Sequence, residues 1–351
     1  MREPQELPTG ILGCGVYVPR LRIKREEYQK AWGYFAPRWI DEKSVADFDE
    51  DGITMGVEAS SNAFRNTGLN ASHVDAVYFA STSPPYAEKQ NASTVATALG
   101  CRNETATMDV TSSIKCGLSA LLSGLDFVAS GRGKTSLIVA ADTPLGDPTG
   151  SLDHQLGAGA AALIVGRDMI NGLFGGSFSV TSESIGERFR RDGHAFVATV
   201  DLGRYQETSS DDVIISCVKG LMQSLGRSPK KYDFLALHGV DPPRALELGK
   251  KLGFEDTKTT PSLVSGKVGD TGAASPLLAL SKLLESSSFK QRMLVCGYGP
   301  GAGADALSIV VDGEMKPVPG VGFDDYLAKK DYLDYSAYLK IRRFLGGNNW
   351  R

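Results

Sequence analysis

The sequence predicts an α/β protein made of two similar halves, and three observations support this prediction. Apolar runs of strand length alternate with longer helix-like runs through most of the 351 residues, a pattern typical of α/β proteins. Several strand candidates are apolar throughout, which indicates sheets covered on both faces. Two pairs of segments also resemble each other, and the members of both pairs lie about 157 residues apart along the chain.

The first half alternates strand and helix candidates. The segment "ITMGVEASSNAFRNTGL" has helical spacing, and Gly68 ends it in the way glycine commonly ends helices. The other helix candidates are "ASTVATALG" and "CGLSALLSGLDFVASG". The strand candidates are, in order, "ILGCGVYV", "AVYFAST", "TATMDV", "SLIVAAD" and "GAAALIVG". This order predicts an α/β unit with a mainly buried sheet.

The second half repeats the pattern, with helix candidates "DDVIISCVKGLMQSLG", "PRALELGKKLG" and "SPLLALSKLLESS" and strand candidates "FLALHGV", "RMLVCGYG" and "ADALSIVVDG". The stretch "AVYFASTSPPYA" (76–87) aligns with "FLALHGVDPPRA" (234–245), and "LIVAADTP" with "GAAALIVG" parallels "MLVCGYGP" with "ADALSIVV". Unrelated strand–helix units also look alike, but a shared offset favours duplication. We therefore expect halves at residues 1–170 and 171–351, the second ending in a C-terminal tail.

Composition and charge exclude several classes of protein. Hydrophobic residues make up 42% and charged residues 23%, and the net charge of −3 gives no basic surface for nucleic acid. No apolar run approaches the ~20 residues that cross a membrane, and the start of the chain lacks the apolar core of a secretory signal. The five cysteines are scattered without a C-x-x-C pair, which disfavours a disulfide framework or a zinc site. We expect a cytoplasmic protein without nucleic-acid, membrane or metal partners.

Cys116 is the candidate nucleophile. It lies in "DVTSSIKCGLSALLSG" (109–124), where a strand candidate meets a helix candidate. A helix N-terminus offers unpaired N–H groups and partial positive charge, which favour a thiolate over a thiol. Lys115 adds charge beside it, and Gly117 and Ser119 keep the first turn slim enough for an acyl group and an oxyanion pocket. A buried packing residue is the competing interpretation, and the local residues do not decide between the two.

His238 is the candidate base among four histidines. It follows the apolar run "FLAL" at the carboxyl end of a strand, where α/β proteins bind ligands. The internal alignment sets it opposite Ala80, so the two halves offer different groups at equivalent positions. One half can then supply a nucleophile and the other its base. His154, in the loop "GSLDHQLGAG", stays a candidate neighbour of the site, and Asp270, in "GKVGDTGAAS", occupies a third such strand end.

Several segments together resemble one family. They are "YVPRLRI", "DEDGITMGVEA", "SPPYAEK", the Cys116 turn, "VAADTP", the His238 turn, "GYGPGAGADALSI" and "YLKIRR". In this order, over nearly the whole chain, they resemble the archaeal-type 3-hydroxy-3-methylglutaryl-CoA synthase family of the thiolase superfamily. The resemblance implies a five-layered αβαβα thiolase fold from two duplicated halves, a homodimer and acyl-CoA substrates. It also implies that Cys116 accepts the acyl group and that His238 orients or activates the second substrate.

Two positions depart from the family's pattern. The family's Glu, which acts as general acid/base in the aldol step, corresponds to Thr82, and a hydroxyl cannot take a proton near neutrality. The family's carbonyl-polarising Asn corresponds to Asp270, whose negative charge would repel an oxyanion. The stretch after the histidine also differs, reading "HGVD" where the family has His-Gln-Pro-Asn. These departures disfavour synthesis of 3-hydroxy-3-methylglutaryl-CoA itself.

Three functional hypotheses follow. The leading one is an acyl-CoA C-acyltransferase that forms or cleaves a carbon–carbon bond through a thioester on Cys116, by Claisen or retro-Claisen chemistry, with His238 as base and Asp270 orienting it. Coenzyme A is then part of the substrate, and no cofactor is needed. The second is a synthase-like aldol enzyme whose acid/base is Glu88 or Glu183. The third is a largely structural subunit in a complex with a partner thiolase and a small OB-fold, zinc-ribbon scaffold, which the presence of both Cys116 and His238 disfavours.

Candidate substrate contacts are spread along the chain. The segment "GYGPGAGADA" (297–306), flanked by strand candidates, predicts a tight hairpin whose backbone approaches a ligand closely. We therefore assign Tyr298 and Gly299 to substrate binding, together with Thr82. The phosphates of CoA need cations. The candidates are Arg20 and Lys267, with Arg22, Lys24 and Arg25 in the same run as Arg20, and the cluster Arg188, Arg190 and Arg191.

Overall fold

The computed structural model of the protein describes residues 8–183, 187–200 and 204–344, the side chains of 204–209 excepted. Its strands are β1 (Gly10–Tyr17), β2 (Leu21–Lys24), β3 (Glu42–Ser44), β4 (Ala76–Ala80), β5 (Ala106–Val110), β6 (Thr135–Asp142), β7 (Gly159–Gly166), β8 (Gly172–Val180), β9 (Phe234–His238), β10 (Arg292–Gly299), β11 (Gly303–Val311) and β12 (Asp331–Leu333). Its helices are α1 (Arg25–Trp32), α2 (Gly52–Thr67), α3 (Asn91–Leu99), α4 (Cys116–Ala129), α5 (Arg204–Ser224), α6 (Pro242–Lys251), α7 (Asp256–Thr259), α8 (Ser265–Val268), α9 (Ser275–Ser286), α10 (Phe323–Ala328) and α11 (Tyr335–Ile341).

Local sequence sets the ends of these elements, as helix α2 illustrates. The Asp51 carboxylate accepts the backbone N–H of Thr54 at 2.8 Å, and the Thr54 hydroxyl accepts the backbone N–H of Asp51 at 2.8 Å. This reciprocal cap satisfies two N–H groups that the first turn leaves unpaired. Gly68 ends the helix with a φ of 69°, a left-handed conformation that glycine adopts without a steric penalty.

The main sheet repeats one pairing pattern twice. Over the described residues its nine strands run in the order β5-β4-β6-β7-β1-β8-β11-β10-β9. Strand β4 is parallel to β6, β6 antiparallel to β7, and β7 antiparallel to β1. Strands β9, β10, β11 and β8 repeat this series of pairings. Ala80 and His238 are the last paired residues of β4 and β9, as the internal alignment predicts.

The helices divide the core into layers. Helices α4 and α9 pack between the strand series of the first half and that of the second, in one buried cluster. Helices α2 and α3 cover the outer face of the first series, and α5 and α6 cover the outer face of the second. The two series join through only two residue pairs of β1 and β8, Gly10–Leu173 and Ile11–Gly172. The result is five αβαβα layers from two similar halves, as predicted, while the division at residue 170 stays a prediction.

A small sheet in the order β12-β2-β3 attaches the C-terminal segment to the body. Helix α11 follows it and buries Tyr338 against Tyr28 of α1. Both hydroxyls donate to the buried carboxylate of Asp153, at 2.5 Å from Tyr338 and 2.9 Å from Tyr28. Among the described residues no helix has the length and apolar character needed to span a bilayer.

Candidate active site

Cys116 is the first residue of α4, and its side chain is buried, with 2% of the residue exposed. Burial raises the pKa of the thiol above its ordinary value, and the nearby Asp142 carboxylate adds to this effect. The backbone N–H groups of Cys116 and Gly117, and the charge of Lys115, act in the opposite direction. The helix N-terminus thus offsets part of the burial penalty, but the resting form near neutral pH is the thiol.

The positive charge of Lys115 is directed away from the thiol. Its Nζ lies 2.7 Å from Oδ2 of Asp305, a residue of β11 that is 4% exposed. The Ser119 hydroxyl donates to the same oxygen at 2.7 Å. This buried ion pair ties the first turn of α4 to the second half of the fold, so Lys115 positions the helix more than it activates the thiol.

His238 ends β9 and is buried, with 8% exposed. Burial lowers the pKa of the imidazole to about 4, against the opposing effect of the Asp270 charge. Its Nε2 atom is buried and has no hydrogen-bond partner among the described residues. Gly239 follows with a φ of 87°, and a Cβ there would lie 2.2 Å from the carbonyl oxygen of Tyr298. The chain can therefore turn after β9 only because residue 239 is glycine. The neutral imidazole of His238 keeps its Nε2 atom without a partner in the described part of the chain.

Asp270 forms an ion pair with Arg188. Its Oδ1 atom also accepts the backbone N–H of Gly272 at 2.8 Å. Its backbone N–H donates to the carbonyl of Gln155 at 2.7 Å, and its carbonyl accepts the N–H of Gly157 at 2.9 Å. The carboxylate that the sequence sets beside His238 is thus neutralised by a guanidinium, which weakens the repulsion that it would exert on an oxyanion.

Thr82 belongs to a hydrogen-bond network around one fully buried carboxylate, Asp142 at the end of β6. Asp142 accepts the hydroxyls of Ser81, Thr82 and Ser83 at 2.7, 2.8 and 2.8 Å. The backbone N–H groups of Thr82, Ser83 and Ala273 donate to it at 2.8, 2.9 and 2.7 Å. These donors satisfy the hydrogen-bonding capacity of the buried carboxylate. The network fixes the turn after β4 against the loop that carries Asp270.

Two adjoining cavities lie over these residues. The first has a volume of about 360 Å³ and is lined by His238, Asp270, Tyr298, Glu187 and Arg188, among others. The volume is within the range of small-molecule sites. The structure therefore brings together two of the three predicted strand ends, those at 238 and 270.

The second cavity, of about 370 Å³, contains Thr82 and the side chains of Arg190 and Arg191. The residues that line both cavities are Ile114, Arg188 and Pro300. Cys116 lines neither cavity in this structure, although it lies only two residues beyond Ile114. The thiol is thus buried next to the site and opens onto neither cavity.

The fold places the predicted substrate contacts Tyr298 and Gly299 in different surroundings. The Tyr298 hydroxyl donates to the Glu187 carboxylate inside the first cavity. Gly299 packs against the loop before α4, where a Cβ would lie 1.9 Å from the Ser113 hydroxyl oxygen. The hairpin between β10 and β11 is present as predicted, and its close approach is to the Cys116 loop.

Of the predicted phosphate contacts, Arg188, Arg190 and Arg191 line the cavities, whereas Arg20 and Lys267 line neither. The Arg20 side chain is 69% exposed and pairs with Asp331 at 3.1 Å, and Lys267 is exposed on α8. For Arg22 the expectation is wrong, because the residue is fully buried and donates to the carbonyl oxygens of Pro19 and Leu21. A guanidinium inside the small sheet cannot reach a phosphate.

Sequence reasoning missed Asp142 and Glu187. Asp142 directly follows the apolar run of β6, and a carboxylate at a strand end was a signal that could have found it. The suggested acid/base residues Glu88 and Glu183 are wrong in position, since both are exposed and line neither cavity. Over the described parts of the chain, no three His, Cys, Asp or Glu side chains converge as metal ligands.

Comparison with known proteins gives the class of this protein. Residues 222–312 match the family described as 3-oxoacyl-[acyl-carrier-protein] synthase III C terminal. The fold is similar to a solved HMG-CoA synthase complexed with CoA, with a TM-score of 0.86 and 18% identity over 98% of this chain and 92% of that one. It is also similar to 3-oxoacyl-[acyl-carrier-protein] synthase III from Aquifex aeolicus, with a TM-score of 0.77 and 21% identity over 86% and 99%. These similarities confirm the thiolase fold.

Full-length relatives define the family. A hydroxymethylglutaryl-CoA synthase of Thermococcus sibiricus is 36% identical over 344 residues, which cover 95% of this chain and 96% of the relative. One of Methanopyrus kandleri is 33% identical over 350 residues, covering 96% and 98%. The chain belongs to the hydroxymethylglutaryl-CoA synthase family, which confirms the resemblance seen in its motifs.

Proposed function

We propose that the protein passes an acyl group from a CoA thioester through Cys116 and joins it to a second acyl-CoA, or cleaves it from one, by Claisen or retro-Claisen chemistry. The observation that carries this choice is the Thr82 hydroxyl, which donates to Asp142 at 2.8 Å. This is the position to which the resemblance assigns the aldol Glu. An aldol step forms an alkoxide that needs a proton donor, whereas a Claisen step ends by expelling the Cys116 thiolate. A hydroxyl whose proton is already shared with a carboxylate suits the second case better.

In the acylation step the Cys116 sulfur attacks the thioester carbonyl carbon and CoA leaves as its thiol. The thiol proton passes to Nε2 of His238 and then to the departing CoA sulfur, so the proton count balances. A neutral imidazole supports this role, because a pKa of about 4 leaves the ring unprotonated at pH 7. The backbone N–H groups at the start of α4 are suitable donors to the oxyanion.

An aldol condensation like that of hydroxymethylglutaryl-CoA synthases is the second candidate, and the full-length family relationship favours it. Incubation with acetyl-CoA and acetoacetyl-CoA distinguishes the two. A 3-hydroxy-3-methylglutaryl-CoA product supports the aldol reaction. Thiolytic cleavage of acetoacetyl-CoA by free CoA, or its formation from acetyl-CoA, supports the Claisen direction.

Intact-protein mass spectrometry with a panel of acyl-CoAs tests the acyl-enzyme. We expect a mass increase of one acyl group on the wild type and none on Cys116→Ala, because only the Cys116 sulfur is held at a helix N-terminus beside the cavities. Cys101→Ala is the matched control, since Cys101 is a half-buried thiol that lines neither cavity, and this variant should still be acylated. An adduct that survives in Cys116→Ala would contradict the proposal.

We propose that CoA carries the acyl group as part of the substrate, with no further cofactor. Arg20 and Lys267 are the proposed phosphate contacts, because both side chains are exposed cations. Their replacement by Ala should raise the KM for acyl-CoA and leave kcat nearly unchanged. Equal KM values in the variants and the wild type would contradict the assignment of these residues to phosphate binding.

A homodimer is the proposed assembly. Strand β5 is the edge of the main sheet, and Met108 on it is 42% exposed. An edge strand with exposed apolar side chains is suited to pair with a second copy. We expect a dimer by light scattering and a monomer for Met108→Asp, with Met169→Asp, at an exposed methionine between β7 and β8, as the control. Monomeric wild type would contradict this.

Partners beyond the dimer remain proposals. The partner thiolase and the OB-fold, zinc-ribbon scaffold are tested by copurification from the native host with the tagged full chain. Activity of the pure dimer alone would argue against a need for either. A cytoplasmic location is likewise proposed, and fractionation tests it.

A further inference from the structure

We infer that Glu187 is the general base that removes a proton from the α-carbon of the second substrate, in place of the glutamate missing at Thr82. The inference rests on the proposed function and names a residue for its carbon–carbon step. It starts from the contents of the first cavity. Among its lining residues are three carboxylates, on Glu187, Asp241 and Asp270.

Two of these carboxylates are committed to other partners. Asp270 pairs with Arg188 and accepts the backbone N–H of Gly272. Asp241 caps helix α6 and accepts the backbone N–H of Arg244 at 2.8 Å. A carboxylate that neutralises a cation or holds a helix end loses that interaction when it takes a proton. Neither group is suited to shuttle protons during turnover.

Glu187 differs from both. Its Oε2 atom accepts the hydroxyl of Tyr298, which is 2% exposed and held in β10. Its Oε1 atom is buried and has no hydrogen-bond partner within the described part of the chain. One oxygen is thus held by a rigid donor and the other has no partner in the described ranges, in a residue that lines the same cavity as His238. A buried acceptor without a partner is costly in a fold, and a substrate C–H or O–H group would supply one.

The cations that line the same cavity form ion pairs with other carboxylates, although Nη2 of Arg188 has no hydrogen-bond partner among the described residues. Arg188 pairs with Asp270, and Arg244 donates to Asp211 and Glu247. The segment that carries Glu187 is held across the site, because Arg190 donates to the carbonyl of Thr82 at 3.0 Å. The segment that carries Glu187 is therefore tied to the turn from which the family's glutamate is absent.

The proposed step balances as follows. Glu187 takes the α-proton of the second acyl-CoA, and the resulting enolate carbon attacks the carbonyl carbon of the Cys116 thioester. The new carbon–carbon bond forms, the carbon–sulfur bond to Cys116 breaks, and the thiolate receives the proton that Glu187 took. His238 donates to the thioester oxygen of the enolate in the tautomer that carries the single ring N–H on Nε2, whereas the acylation step uses the other tautomer. No oxidant, metal or further reactant enters the step.

The test uses Glu187→Gln in the full-length protein, with acetyl-CoA as the probe. Exchange of the acetyl hydrogens with D₂O reports proton removal, and intact mass reports the acyl-enzyme. We expect Glu187→Gln to form the Cys116 adduct within about threefold of the wild-type rate and to lose exchange and condensation by about 10²- to 10⁴-fold. Glu183→Gln is the matched control, an exposed glutamate four residues earlier, and should behave as the wild type.

Tyr298→Phe is the second variant, and it keeps the carboxylate while removing its fixed donor. Exchange should fall by less than in Glu187→Gln. Exchange and turnover that persist in Glu187→Gln would overturn the inference, as would a wild type that forms the adduct but exchanges no deuterium. Loss of the adduct in parallel with turnover would also overturn it, since the residue would then serve acylation or folding. A wild type without any adduct would instead refute the proposed function itself.

Discussion

Burial favours the uncharged form of both Cys116 and His238, although it shifts their pKa values in opposite directions. It raises the pKa of the thiol and lowers that of the imidazole to about 4. Both groups are therefore uncharged near pH 7, and the pair is a thiol with an imidazole rather than a thiolate with an imidazolium. Proton transfer from Cys116 must then accompany attack on the substrate. The site gains reactivity when a substrate is bound and stays protected when it is empty.

The pH dependence of Cys116 alkylation by iodoacetamide should show directly that the thiol is the resting form. Only the thiolate reacts, and a raised pKa means that the thiolate fraction keeps growing about tenfold per pH unit through pH 9. An ordinary thiol levels off near its pKa of about 8.5. Peptide-resolved mass spectrometry between pH 6 and 10, with free glutathione as the reference thiol, measures the profile. A plateau for Cys116 below pH 8 would show that the helix N-terminus outweighs burial.

At the scale of the elements, helix α4 contacts the loop that carries Asp270 through Gly117. A Cβ on this residue would lie 2.1 Å from the carbonyl oxygen of Ala273. Ala273 also donates its N–H to Asp142, which holds Thr82. One close contact between α4 and this loop thus sets the spacing of the groups in the site, because backbone atoms on both sides cannot yield as a flexible side chain can.

Gly117→Ala should separate α4 from this loop. We expect acylation by acyl-CoA to fall at least about tenfold and the free energy of unfolding to fall by about 1–3 kcal/mol, the usual cost of overpacking. Gly150→Ala is the control, since the nearest atom to its Cβ is 3.4 Å away. Chemical unfolding and the adduct assay measure the two effects. Wild-type acylation in Gly117→Ala would contradict this account of the contact.

At the scale of the whole molecule, buried hydrogen bonds link the C-terminal segment to the site. Tyr338 donates to Asp153 at 2.5 Å, and Lys43 lies 3.4 Å from the same carboxylate. Asp153 is two residues before Gln155, whose carbonyl accepts the N–H of Asp270 at 2.7 Å. The tail, the small sheet and the site loop are thus joined by buried hydrogen bonds, each of which is costly to leave unmade.

Tyr338→Phe removes one donor from the buried Asp153 carboxylate. The free energy of unfolding should fall by about 1–3 kcal/mol, measured by urea denaturation. Tyr332→Phe is the matched control, because its hydroxyl meets Glu42 at the exposed surface and should cost much less. Equal stabilities of the two variants would contradict a structural role for the buried cluster.

The sequence by itself determined the class of fold, the internal repeat and the nature of the groups at three strand ends. These follow from local periodicity, from a single offset between the halves and from the chemistry of Cys116, His238 and Asp270. Only the tertiary structure decided which groups share a cavity. The ion pairs of Lys115 with Asp305 and of Arg188 with Asp270 join residues 190 and 82 positions apart, and no local pattern encodes such a pairing. For the same reason Glu187 was not recognisable in the sequence, since its partner Tyr298 lies 111 residues away along the chain and meets it only in the fold.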